Sequence, residues 1–171
     1  MARFGIVPER SQVWIEARSS VHPIHSGTDG LEGFIEIELD PDGSVDLSTK
    51  PVGKLSLAVS RLKSDNRMEE HEMHKRIEAR KYPTIDGVLT SLEPSGADGT
   101  YKVSGEIAFR GVTRHHEDEM TIRALDDQTI RLAGESRFDV REYGMEPPRV
   151  LMLKVQPEVT VRVEIVAAKE A

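Results

Sequence analysis

Segment after segment of this chain alternates apolar and polar residues with a period of two, and that alternation restricts the fold more than any other feature. In Tyr101-Lys102-Val103-Ser104-Gly105-Glu106-Ile107-Ala108-Phe109 the odd positions are apolar or small and the even ones mostly polar. Ile130, Leu132, Gly134, Ser136, Phe138 and Val140 alternate with Arg131, Glu135, Arg137, Asp139 and Arg141. Val159, Val161, Val163 and Ile165 repeat the pattern against Thr160, Arg162 and Glu164. Successive side chains on a strand point to opposite faces, so each segment puts one face in the core and one in water, as antiparallel sheet does. Strands of this kind without a good helical partner close on one another as a sandwich or barrel.

The chain of 171 residues suits a single domain, 1–171, with room for a sizeable core. Its net charge of −7 argues against a nucleic-acid partner, because phosphates are met by excess Lys and Arg. Cysteine is absent, which removes disulfides and thiolate sites. No apolar run is long enough to span a bilayer, so stable membrane insertion is not expected. The opening Met1-Ala-Arg-Phe-Gly-Ile-Val-Pro-Glu has no apolar signal region or cleavage site and points to a cytoplasmic protein.

The pattern predicts about eight strands. They run over 13–18, extending to Val21 before Pro23 bends or ends the strand, then 31–39, 44–47, 54–62, 84–92, 101–109, 113–124, 129–140 and 152–166. Between Lys54–Leu62 and Thr84 the period changes. Asp65 or Asn66 caps a predicted helix over about 66–80, ended by Pro83. Tyr143 to Pro148 reads as a rigid connection. Gly33, Ile35, Ile37, Val103, Ile107, Leu132, Val161 and Val163 are predicted to point inward. An eight-stranded barrel has an interior that side chains can just fill or that holds one small ligand. A plain packed core and an aliphatic ligand cavity fit the alternation equally well.

Several stretches, in order, resemble the YceI-like, polyisoprenoid-binding family over nearly the full length. They are Val13-Trp14-Ile15, Ser20-Val21, His25, Gly33-Phe34, Asn66-Arg67, His71 and Lys81-Tyr82-Pro83-Thr84-Ile85. Tyr101 to Gly105, then Phe109-Arg110-Gly111-Val112-Thr113-Arg114 and the segment Phe138 to Gly144, complete the match. The resemblance implies a lipocalin-like, up-and-down antiparallel eight-stranded barrel with a short helical insertion. It implies a non-enzymatic carrier for a long isoprenoid-type lipid, a polyprenol derivative or quinone tail, held in an apolar tunnel with no cofactor required. Burial alone can hold such a chain, at about 0.8 kcal/mol per methylene. The residues expected to contact it are Ile35, Ile37, Leu57, Val103, Ile107 and Phe109, with Met120, Ile122, Leu132, Phe138 and Val161. The resemblance leaves a homodimer open. It departs from the family over Met73–Arg80, which lacks paired aromatics, and over Met145–Gln156.

The six histidines form the one constellation that suggests other chemistry: His22 and His25, His71 and His74, His115 and His116. Imidazole ligates transition metals and haem. The alternative reading is therefore a metal- or haem-binding barrel, a redox enzyme included, with His25, His71 and His116 converging and His22, His74 and His115 in support. On strand parity His116 faces inward with Met120 and Ile122, and His115 faces water. His71 and His74 read as a solvated helix face, as does the run Glu69, Glu70, Glu72 and Glu78. No nucleophile elbow or phosphate-binding loop is present, and no catalytic residue is assigned.

Overall fold

The alternating segments form one antiparallel sheet rolled into a closed barrel of eight staves, with one short α-helix among the described residues. The computed structural model describes residues 1–147, 149–150 and 153–171. The strands are β1 (Ala2–Ile6), β2 (Gln12–Ser19), β3 (Pro23–Thr28), β4 (Leu31–Ile37), β5 (Val52–Ala58) and β6 (Lys63–Ser64). After helix α1 (Arg67–Ile77) come β7 (Thr84–Pro94), β8 (Thr100–Phe109), β9 (Val112–Ala124), β10 (Thr129–Asp139), β11 (Arg149–Val150) and β12 (Leu153–Lys169).

The pairing shows how eleven of the described strands make eight staves, with β11 paired only to the start of β12. β12 pairs with β10 on one side. On its other side it meets both β2, through Val155–Glu164, and β1, through Ala167–Lys169. β1 and β2 are thus one stave, interrupted by a 3₁₀ turn at Pro8–Arg10. β1 pairs with β4 and β2 with β3, so β3 and β4 form a second broken stave. β4 pairs with β5 and β3 with β6, and the third break is the 3₁₀ turn Val59–Arg61. β7, β8, β9, β10 and β12 complete the ring.

Each break finds replacements for lost ladder bonds, as buried backbone must. At the first, the buried Ser11 hydroxyl accepts from Val166 N at 3.0 Å and donates to Val7 O at 2.8 Å. At the second, Thr28 Oγ1 accepts from Gly30 N at 2.9 Å. At the third, Val59 N donates to Pro83 O at 2.9 Å. Arg61 ties the last two breaks together through Asp29 at 3.0 Å.

One end of the barrel is plugged. Ile37, Tyr101, Ile122, Ile130 and Ala167 are buried there, and the loop joining β4 to β5 folds over them. Val45 of that loop is buried and its N–H donates to Tyr101 Oη at 2.9 Å. Helix α1 stands at the other end. Asn66 caps it, accepting from Met68 N at 2.8 Å and Glu69 N at 3.2 Å.

Several expectations are corrected. Pro23 opens β3 instead of ending the preceding strand; a missing N–H is tolerated at a strand's first residue. Ser44–Leu47 makes only one bridge, Leu39 to Val45. The 54–62 segment starts earlier, at Val52, and breaks at Val59. The helix stops at Ile77, three residues short of Arg80 and well before Pro83, because Glu78 turns left-handed, φ 60°. The strand Ala2–Ile6 was not anticipated. Gly33 keeps the inward parity of Leu31 and Ile35, opposite Leu55, but it is exposed and does not line the cavity; its φ is 140°, and a Cβ there would lie 2.1 Å from Lys54 O. Pro148 and Met152, placed above in the connection and in the last strand, lie outside the described residues.

Candidate binding tunnel

The inward residues leave an apolar space of about 400 Å³. Glycines contribute to it. Gly53, Gly87, Gly105 and Gly134 all line the cavity; side chains from neighbouring strands lie close to where the Cβ atoms of Gly53, Gly87 and Gly134 would be, and the Val88 backbone lies close at Gly105. A Cβ on Gly87 would sit 3.2 Å from Leu55 and one on Gly53 3.1 Å from Leu89.

Ile35, Leu57, Val103, Ile107 and Phe109 line this space, as do Met120, Ile122, Leu132, Phe138 and Val161. Ile37 does not: it is 1 % exposed and belongs to the plugged end. The helix supplies Met73 and Ile77, and the turn after β10 supplies Tyr143 and Met145. Tyr143 packs edge-on against Phe109, centroids 5.6 Å apart. Burial pushes its phenol pKa up, against the opposing charge of Arg114.

The helix end is fastened by the turn between β8 and β9. Arg110 (φ 53°) and Gly111 (φ 75°) form that two-residue turn, which needs positive φ at both positions. Tyr82 rests on Gly111; a Cβ there would lie 2.8 Å from the ring. The Lys-Tyr-Pro-Thr and Arg-Gly-Val-Thr-Arg strings therefore meet in space. Arg110 Nη2 donates to Glu78 Oε2 at 2.6 Å, and Nη1 donates to the carbonyls of Gly144 and Tyr143. One guanidinium thus joins the helix C-terminus, the β8–β9 turn and the segment after β10.

The histidines scatter. His22, His25, His71 and His115 are exposed. His25 lies on the outer parity of β3, opposite Glu16, while Ile24 lines the cavity. His74 is not on a solvated face: it is half-buried, with Nε2 2.8 Å from Leu62 O. His116 faces inward. Among the described residues, no three His, Asp or Glu side chains group so as to hold a metal. His25, His71 and His116 are not brought together.

Sequence reasoning missed the polar residues of the lining. Asp118 shares the parity of His116 and lines the cavity, as does Ser136. Glu69 is not part of a solvated face; it is 7 % exposed and lines the cavity, accepting from Ser64 Oγ at 3.3 Å. The alternation that placed His116 inward also marks Asp118. No comparable signal marks Glu69, because the helix has few apolar residues to show which face is buried.

A closed antiparallel barrel with an apolar interior and a helix over one end is lipocalin-like in architecture. A family model, the YceI-like domain, matches residues 4–167, and the chain belongs to that family. The structure is similar to that of Burkholderia cenocepacia BcnA, with a TM-score of 0.77 and 14 % identity over 94 % of this chain and 98 % of that one. It is equally similar to a polyisoprenoid binding domain from Saccharophagus degradans implicated in plant cell wall breakdown, at TM-score 0.77 and 12 % identity over 98 % of both chains. A Campylobacter jejuni YceI protein matches at TM-score 0.65 and 12 % identity over 85 % of both. Among curated protein sequences, none matches this chain.

Proposed function

We propose that this protein is a non-enzymatic carrier or sequestering protein for a long apolar isoprenoid-type lipid. The observation that carries the reading is the cavity itself, about 400 Å³, walled by aliphatic side chains from the barrel staves and by Met73 and Ile77 of the helix. That volume falls within the range of small-molecule sites, and each methylene buried contributes about 0.8 kcal/mol. Such a ligand is held by burial and needs no reacting group. The similarity to a polyisoprenoid binding domain supports the same ligand class. Among the described residues, no helix is long and apolar enough to cross a membrane.

Organic extraction of the purified protein followed by mass spectrometry tests this. The expected result is a co-purifying polyprenyl lipid, or uptake of geranylgeraniol by protein that carries none. If no lipid is recovered and none is taken up, the carrier reading is overturned. Val103→Phe, which pushes a ring into the cavity, is expected to lower uptake while the barrel stays folded by circular dichroism.

A further inference from the structure

Most of the tunnel wall is hydrocarbon, yet two adjacent inward positions of β9 carry an imidazole and a carboxylate. The His116 ring stacks on Phe138 with centroids 4.3 Å apart and planes 24° from parallel, which fixes its orientation. Its Nε2 is buried and has no hydrogen-bond partner among the described residues. Asp118 Oδ2 lies 3.5 Å from that nitrogen, too far for a good hydrogen bond. Opposite His116 on β8 is Gly105, which offers no side chain to fill the space or satisfy the nitrogen. A pure hydrocarbon lying here would leave the already shielded Nε2 unpaired and strip water from the partly exposed Asp118 carboxylate, a cost buried polar groups do not normally bear.

We propose that His116 and Asp118 form a hydrogen-bonding station that selects an isoprenoid chain bearing a hydroxyl group. This rests on the tunnel being a lipid site and goes on to name the polar group of the lipid. An oxygen placed about 2.8 Å from both Nε2 and Oδ2 would bridge their separation. A hydroxyl there accepts from the imidazole N–H and donates to the carboxylate, satisfying both. An ether or a carbonyl can accept from the imidazole but offers Asp118 no proton. A phosphate brings a second anion against the carboxylate. Glu69 and Ser64 also line the tunnel, but the one hydroxyl proton of Ser64 is already shared between Glu69 Oε2 and His25 O, each 3.3 Å away.

The test is displacement of the fluorescent dye N-phenyl-1-naphthylamine from the purified protein by three probes of equal chain length: geranylgeraniol, its methyl ether and its phosphate. The alcohol is expected to bind about tenfold more tightly than the other two, the size of one hydrogen bond to a charged group. His116→Phe keeps the stack and removes the donor; Asp118→Leu removes the acceptor. Each is expected to abolish the preference for the alcohol. If alcohol and ether displace the dye equally from the unmodified protein, the station is overturned while the tunnel stands. If neither the dye nor any probe binds, the lipid reading falls and the station with it. The ranking on unmodified protein decides the matter even where a variant does not fold.

Discussion

Ser11 shows how much one hydroxyl can carry. It sits where the first stave breaks and serves Val166 from 155 positions away in sequence. Ser11→Ala leaves a buried Val166 N–H unpaired and is expected to cost about 1–3 kcal/mol, read as a lowered urea midpoint. His115 is a different case, exposed between two carboxylates. The Glu117 hydrogen bond, with Glu106 adding to it, raises its pKa above the ordinary 6.5. The stability this lends is present below the ordinary imidazole value and is lost as pH rises through the raised one. An NMR titration is expected to find the midpoint above 6.5 and to see it fall back in Glu117→Gln. At this scale the sequence was readable wherever strand parity applied: His115 outward, His116 and Met120 inward. It was unreadable for His25 and His74, whose surroundings depend on a proline register and on the backbone of Leu62.

The elements divide in the same way. β8, β9, β10 and β12 alternate cleanly, and the hairpins joining the first three carry recognisable turn chemistry, so their pairing followed from local pattern. The broken staves did not, because what defines a break is the neighbour across it. Ala2–Ile6 is only five residues long and pairs with β4 and the far end of β12, neither of which a local window sees. The helix boundary was missed because Glu78 adopts a left-handed conformation held by Arg110. Two substitutions test the helix as a unit. Asn66→Ala removes its cap and is expected to destabilise by about 1 kcal/mol in chemical unfolding. Arg110→Ala releases the helix from the β8–β9 turn and from Gly144, and is expected to raise hydrogen exchange over residues 72–82 while the amides of β8 to β10 stay protected.

Taken whole, the barrel has a continuous side, β7 to β10, and a segmented side where the three breaks lie in adjacent staves. If the tunnel takes up lipid, the bound form gains stability by mass action, so the melting temperature is expected to rise with added geranylgeraniol and to stay fixed in Val103→Phe. The seam where β1 meets β12 has a kinetic meaning as well. The β7–β10 meander needs only hairpin contacts, each formed between close neighbours in the chain. Closing the ring requires Phe4 to find Lys169, after nearly the whole polypeptide has been ordered or looped out. Loop closure of that length is entropically costly and yields few contacts until it is complete. The meander is therefore expected to acquire exchange protection early in refolding. The first six residues should dock last, as the slow step that converts an open curled sheet into a vessel with an inside.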